Sequence, residues 1–402
     1  MKKDTIFVQI ASYRDPELLP TIRDCISKAK YPENLTFGVH WQRDETESMK
    51  EFSDDPRFKI IDTHWSKSKG LCWARSLIQT LWQGEKYTMQ LDSHHRFLQN
   101  WDVELINMMK LTGSKKPIIT AYAGMYRPSD NVLLNTDPYK MVASNFTDGG
   151  TILFRPHAIE NWESLNAPIP ARFVSGHFFF TLGKHCKEYK YDPNIYFAGD
   201  EISLSIRSFT LGYDLYHPHK TVIWHEYTRE GRTKHWTDFN EDNTSAGIVE
   251  KPWWEMDSES KRRLRHMLQE EYHPDIELGE YGLGTARTHT DYEIYAGINF
   301  KNRKLHPNML AGINPPINDN SEWYKLKEIE YSMTVRIPET LNFNFIYIAV
   351  EDDQGHVLFR QDLTDYQEIL DIKFKSFTVP SKWIYWRNDG EWQNRIDTAI
   401  GA

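Results

Sequence analysis

Over its first third the chain alternates short apolar runs with amphipathic stretches of helical period, and no other property of the sequence limits the fold as strongly. Residues 5–11 form an apolar run of strand length, after which Leu18, Ile22, Cys25 or Ile26, and Ala29 recur at helical spacing. Residues 35–41 and 58–61 are further strand candidates. Leu71, Ala74, Leu77, Ile78 and Leu81 then mark an amphipathic helix that leads into the run Tyr87-Thr88-Met89-Gln90-Leu91. A helix over 100–111 and a strand over 117–122 continue the rhythm. Parallel strands need crossover connections of this kind, so the expected architecture is α/β with an open, mostly parallel central sheet. Ligands of such sheets bind outside the carboxyl ends of the strands. Asp92-Ser93-His94 stands at one of those ends, where a carboxylate and an imidazole two positions apart can grip one divalent cation from the same side.

The 402 residues exceed a usual single domain, and an apolar content of 40% supports a substantial core. The expected organisation is a catalytic-sized domain over 1–250, a helix and loop extension or linker over 251–322, and a β-rich module over 323–402. In the extension, residues 257–272 are helix-like, with Leu264, Met267 and Leu268 on one side, and 279–316 are rich in Gly, Asn and Pro and read as loops. From Trp323 alternation returns: Tyr331, Met333, Val335 and Ile337 share one face, and Phe343, Phe345, Tyr347 and Ala349 follow. Asp352-Asp353-Gln354-Gly355 reads as a turn before the run from His356 to Arg360, which predicts a compact antiparallel module. Its Trp383, Trp386 and Trp392 are expected to pack against the first domain or a second copy of the chain, a route to homo-oligomers, rather than to form a sugar-binding platform.

Several partners are excluded. A net charge of −9 with no basic block argues against nucleic acid. Cys25, Cys72 and Cys186 are too few and too scattered for a disulfide framework or a thiolate metal site, which fits a reducing compartment. No run is long enough for a membrane span or a signal peptide, so a cytoplasmic, soluble chain is expected. The motifs G-x-x-x-x-G-K-[ST] and G-x-G-x-x-G are absent, which disfavours P-loop and dinucleotide enzymes.

Two later blocks join Asp92 and His94 as candidate site segments. Residues 173–180 read as a strand crossing the core, and Asp200-Glu201 opens a helix whose first turn stabilises both acids. The run Thr221-Val222-Ile223-Trp224 delivers His225 to a loop carrying Tyr227 and Arg229. An Asp/His/His set suits Mn²⁺ or another borderline divalent cation better than Ca²⁺, and arginines beside it suit a phosphate.

These blocks carry a resemblance. Residues 6–15 (IFVQIASYRD), Gly70-Leu71-Cys72-Trp73-Ala74-Arg75, residues 90–97 (QLDSHHRF), Trp101-Asp102, Tyr191-Asp192-Pro193, Gly199-Asp200-Glu201-Ile202, Thr210-Leu211-Gly212-Tyr213-Asp214 and His225-Glu226-Tyr227-Thr228-Arg229 together resemble glycosyltransferase family 60. This is the family of the protein-hydroxyproline N-acetylglucosaminyltransferases and their bacterial relatives. A more distant similarity reaches the polypeptide N-acetylgalactosaminyltransferases. The resemblance covers roughly the first 230 residues and not the last module. It implies a GT-A fold, a UDP-sugar donor, UDP-GlcNAc, a Mn²⁺ requirement and transfer with retention to a hydroxyl on a protein or glycan acceptor. It further implies that Asp92, His94 and His225 bind the metal and that Ser12, Tyr13 and Arg14, with Arg75, hold the nucleotide. By the same carry-over Asp200 and Glu201 are the acids beside the acceptor and sugar hydroxyls, and Tyr227 and Arg229 fold over the diphosphate. Relatives often carry Glu where this chain has Asp200. Two other classes compete with transfer: a metal-dependent hydrolase of nucleotide sugars built on Asp92, His94 and His225, and a non-catalytic glycan-binding protein built on the C-terminal aromatics.

Overall fold

The computed structural model describes residues 4–228, 231–316, 329–338, 343–353, 355, 357–376 and 378–400. Arg229, Trp323, Gln354 and His356 lie outside the described residues. The chain divides into two compact units, residues 1–318 and 319–402.

The first unit contains strands β1 (Ile6–Tyr13), β2 (Leu35–Arg43), β3 (Phe58–His64), β4 (Tyr87–Asp92), β5 (His95–Phe97), β6 (Pro117–Thr120) and β7 (Gly124–Arg127). After them come β8 (Val132–Leu133), β9 (Tyr139–Phe146), β10 (Ile152–Ala158), β11 (Ile169–Pro170), β12 (Phe178–Leu182), β13 (Asp214–His217) and β14 (Ile223–His225). Eight of these make one sheet in the order β11-β13-β6-β12-β4-β1-β2-β3. β1 runs parallel to β2 and β4, β2 to β3, and β6 to β13. β12 runs against both β4 and β6, and β11 against β13. The α/β, mostly parallel architecture read from the sequence is therefore the one observed.

β1 is apolar on both faces because both are covered. Ile6, Val8 and Ile10 pack with Leu18, Ile22 and Cys25 of the helix Leu18–Lys28, whereas Phe7 packs with Ile78 of the helix Leu71–Gln79 and with Cys186. Gly70 starts that second helix at φ 103°, and a Cβ there would stand 2.6 Å from the Tyr196 ring and 2.8 Å from its carbonyl oxygen. Only glycine meets both demands. Leu71 N–H can then donate to the Tyr196 carbonyl at 2.9 Å, tying the helix start to the segment before Asp200.

The expected strand over 173–180 forms only from Phe178 onward. Upstream, side chains take the backbone donors that a ladder would use. Val174 N–H donates to Ser205 Oγ at 2.7 Å, Ser175 N–H to Thr120 Oγ1 at 2.9 Å and Gly176 N–H to a Glu201 oxygen at 2.9 Å. The Gly-, Asn- and Pro-rich stretch read as loops contains the helix His289–Ala296, opened by a reciprocal Thr288–Asp291 capping box. Tyr292 and Ala296 from this helix, and Leu264 and Met267 from the helix Trp253–Met267, join Ile202 and Ile206 in one core. Eight residues are too few to carry a clear apolar period, which is why the helix is invisible to spacing. Among the described residues no helix is long and apolar enough to cross a membrane.

The second unit is antiparallel throughout its described strands. Ile329–Arg336 pairs with Ile369–Ser376, and Val357–Leu363, Phe345–Glu351, Lys382–Asn388 and Ile396–Ala399 follow one another in a second sheet. In Phe345–Glu351 the residues that enter the core are Ile346, Ile348 and Val350, not the face of Phe345 and Tyr347 singled out by alternation. The strand is apolar at every position from Phe345 to Val350, so period two does not choose a face. Trp386 and Trp392 lie against each other with ring centroids 4.2 Å apart.

Candidate functional site

Asp92 ends β4 opposite Ala11 of β1, and the chain turns at once through Ser93 and His94 into β5. β14 pairs antiparallel with β5, which sets His225 opposite His95 and beside His94. One ligand atom from each of Asp92, His94 and His225 therefore lies within 4.8 Å of the other two. Asp92 Oδ2 is 3.7 Å from His94 Nε2 and 3.6 Å from His225 Nε2, too far for hydrogen bonds and close enough to share one ion.

The other atoms of two of these ligands are already committed. Arg75 Nη2 donates to Asp92 Oδ1 at 3.0 Å, and His94 Nδ1 meets Asp15 Oδ2 at 2.7 Å. Burial alone would raise the Asp15 carboxyl; the His94 bond and charge, with Arg232 and Ser93, bring it down to about 2. Burial likewise opposes ionisation of Asp92, yet His225, Arg75 and His94 hold it well below the ordinary carboxylate range. His225 is 7% exposed, and neither of its ring nitrogens meets a hydrogen-bond partner. Burial, reinforced by His177, pushes its pKa well below the usual value, so the ring is neutral, the form that binds metals. Two unpaired nitrogens on a buried ring, an ionised carboxylate and a second imidazole make a donor set that fits Mn²⁺ or a similar divalent cation. Arg232 Nη1 lies 2.8 Å from His94 Nε2, so the guanidinium and an ion are alternatives at that nitrogen.

Asp92 and His225 line a cavity of about 650 Å³ whose wall is mainly apolar and aromatic and also includes Tyr122, Gly176, His177, Asp200, Glu201 and Tyr227. Gly176 brings the acids close: a Cβ there would stand 3.0 Å from Asp200 Oδ2 and 3.3 Å from Glu201 Cγ. The two acids differ sharply. Asp200 is held by the buried Arg75 guanidinium and by Cys72 Sγ at 3.3 Å. Glu201 accepts from Gly176 N–H and from the Tyr122 hydroxyl, both at 2.9 Å, and burial pushes its pKa up to about 7. Tyr227 packs edge-on against His225, ring centroids 4.3 Å apart, and donates its hydroxyl to the Ala123 carbonyl at 2.9 Å.

Ser12, Tyr13 and Arg14 sit at the end of β1, beside the Asp92 turn. The Ser12 hydroxyl is fully buried and meets no partner. Tyr13 Oη donates to Asp238 at 2.7 Å, and Arg14 donates to Asp238 at 2.8 Å and to Asp44 at 3.0 Å. A smaller cavity of about 100 Å³ opens beside them, walled by Tyr13, Gln42, Ser68, Tyr196, His235 and Trp236. Arg75, expected beside the nucleotide, instead lies between Asp92 and Asp200. Spacing did not single out Asp15, Tyr122, His177, Arg232 or His235. Asp15 had a usable signal, a carboxylate just past the end of the strand next to β4; the others come together only through tertiary packing.

Asp92, His94 and His225 thus cluster at the carboxyl ends of the parallel strands, and Asp92 and His225 share a cavity wall with the acids Asp200 and Glu201. A family model described as "Glycosyltransferase (GlcNAc)" matches residues 5–56 and 49–302. The chain belongs to this glycosyltransferase family, as its motif blocks implied, and its central sheet is mostly parallel, as an α/β fold requires. Among solved structures it is similar to GalNAc-T7, crystallised with UDP, GalNAc and Mn²⁺, at TM-score 0.49 and 12% identity over 99% of this chain and 72% of that one. It is also similar to S. aureus TarS 1-349, at TM-score 0.37 and 10% identity over 69% of this chain and 76% of that one. No curated protein matches the sequence.

Proposed function

We propose that this glycosyltransferase is a divalent-cation-dependent, retaining enzyme that moves α-GlcNAc from UDP-GlcNAc to a hydroxyl on a protein or glycan acceptor. The observation that carries the reading is the convergence of Asp92, His94 and His225, whose ligand atoms lie within 4.8 Å of one another, with both His225 nitrogens unpaired. The family's own description, naming GlcNAc, supports the sugar. Bound there, Mn²⁺ would supply Lewis-acid stabilisation of the charge that develops on the diphosphate leaving group.

The chain's own residues do the rest. Ser12, Tyr13 and Arg14 hold the uridine side, with the base beside Tyr13, His235 and Trp236. Tyr227, on the segment that continues to Arg229 and Arg232, covers the diphosphate. Glu201 faces the sugar and the acceptor hydroxyl, where a carboxyl with a pKa of about 7 both donates and accepts a hydrogen bond near neutral pH. Asp200 is ion-paired with the buried Arg75, and burial raises the Glu201 pKa to about 7, so each is a weakened carboxylate nucleophile. That favours front-side transfer, in which the departing phosphate takes the acceptor proton, over a two-step displacement.

Release of UDP from a panel of UDP-sugars, with Mn²⁺ and with EDTA, tests the reading. The expected result is slow UDP release from UDP-GlcNAc with Mn²⁺, none with EDTA, and acceleration by a hydroxyl acceptor. Release that ignores EDTA would overturn the metal role, and release that no acceptor accelerates would favour a hydrolase.

A further inference from the structure

The three metal-facing side chains are not held alike, and the difference assigns a role to residues that touch neither substrate nor ion. We propose that Arg75 and Asp15 are positioning residues that turn Asp92 Oδ2 and His94 Nε2 toward a shared cation, and that Asp200 serves this arrangement by anchoring Arg75. The inference rests on the metal reading above.

On the Asp92 side, Arg75 is 2% exposed and its guanidinium spans three acceptors. Nη1 donates to Asp200 Oδ2, and Nη2 donates to the Gly176 carbonyl at 2.7 Å and to Asp92 Oδ1 at 3.0 Å. A guanidinium is planar and rigid, so fixing one edge on Asp200 and Gly176 fixes the direction of the other. Asp92 Oδ1 is consumed, and Oδ2 is the oxygen left facing both imidazoles. An acid at the position of Asp200 has thus been drawn into structure: both its oxygens are occupied, one by Arg75 and one by the Cys72 thiol.

On the His94 side, Asp15 is 4% exposed and accepts on Oδ2 from Ser93 Oγ at 2.7 Å and from Arg232 Nη1 at 3.0 Å, and on Oδ1 from Glu17 N–H at 2.9 Å. Asp15 already accepts from Ser93, Arg232 and Glu17, so its 2.7 Å contact is read with the proton on His94 Nδ1, and Nε2, against which Arg232 Nη1 stands at 2.8 Å, is the nitrogen turned toward a metal. His225, by contrast, has no orienting partner on either nitrogen. Two ligands are preset by hydrogen bonds from opposite sides, and the third is held by its strand and by ring packing against His177 and Tyr227.

Mn²⁺ binding to the full chain, followed by the loss of the free-ion electron paramagnetic resonance signal, separates this inference from the reading beneath it. Asp15→Ala and Asp200→Asn are each expected to raise the Mn²⁺ Kd by about 10- to 100-fold, the usual cost of removing an outer partner of a metal ligand. Asp15→Asn retains an acceptor oxygen and should recover part of that loss. Saturating Mn²⁺ should restore turnover in Asp15→Asn and Asp200→Asn but not in His94→Ala, a rescue that general damage to the fold would not give. Asp200→Asn keeps the volume and an acceptor for Arg75, so it remains informative if Asp15→Ala does not fold. Wild-type Mn²⁺ affinity in both Asp15→Asn and Asp200→Asn overturns the inference alone. Failure of the wild-type chain to bind Mn²⁺ overturns the metal reading and this inference with it.

Discussion

The carboxyl ends of the parallel strands and the C-terminal β unit solve the problem of burial in opposite ways. Around Asp92 the first unit buries Asp15, Arg75, His94, His95, His177, Asp200 and His225, and it leaves the Ser12 hydroxyl and both His225 nitrogens without partners. Each unpaired buried group costs about 1–3 kcal/mol. Among the described residues of the second unit no buried side-chain nitrogen or oxygen is left unpaired. Its buried Glu351 is met by Lys382 and Arg395, each at 3.1 Å, beside a core of Val335, Ile346, Ile348, Val350 and Ile372. Unpaired buried polar atoms also occur elsewhere in the first unit, at Gln9, Arg172, His185 and Arg207, so what sets the strand ends apart is that their unpaired atoms stand beside a cluster of acids and imidazoles.

The contrast breaks most directly at His225. Because its nitrogens bond to nothing, His225→Ala orphans no hydrogen-bond partner, and the stability it loses should be only that of ring packing against His177 and Tyr227, small beside the effect on turnover. Turnover of UDP-sugar should fall by at least about 100-fold, the scale of losing one group that stabilises leaving-group charge. Near-normal turnover with a large loss of stability would mean that the strand-end cluster is structural. The opposite pattern is expected at Ile348, which is fully buried in the second unit. Ile348→Ala should lower stability by about 2–5 kcal/mol in denaturant titration, with Mn²⁺ affinity unchanged. A loss of Mn²⁺ binding there would mean that the two regions are not separable.

The same contrast explains what the sequence made legible. Strands buried on both faces announce themselves as apolar runs, so β1 and β4 were readable, and Asp92 and His94 followed from standing at the end of one of them. His225 was readable as the end of another run, but its meeting with His94 depends on β14 pairing with β5, a three-residue strand too short to leave a pattern. Arg75 sits on the apolar face of an amphipathic helix, where a charge is unexpected unless paired, and its partners are 17 and 125 residues away. Spacing therefore gave no hint of the two carboxylates, and the place beside the nucleotide came from the family resemblance alone. In the second unit the apolar run from Phe345 to Val350 hid the face that turns inward, since either choice satisfies alternation.

The finest distinction between the regions lies in Glu201, where the cost of burial is written as a pKa. The carboxyl titrates at about 7 in the folded chain against an ordinary 4.5, with burial the largest cause and Asp200 adding to it, while Gly176 N–H, the Tyr122 hydroxyl and Arg75 offset part of the rise. Between those two pH values the folded chain keeps a proton that the unfolded chain has lost. For this group, stability is therefore greatest below about pH 4.5, declines as pH rises to about 7 and is level above it, a total of no more than about 3 kcal/mol. Glu201→Gln carries the neutral form at every pH, so it should flatten that part of the stability profile and leave the variant more stable than wild type at pH 8. It should also lower turnover and remove any step in turnover near pH 7. A residue that only packs would show no such exchange of stability for activity, because its burial would already be optimal. Denaturant midpoints for both chains at pH 5 and pH 8, set beside UDP release over the same range, make the comparison. Parallel profiles with unchanged turnover would move Glu201 out of the site and into the structural class occupied by the second unit.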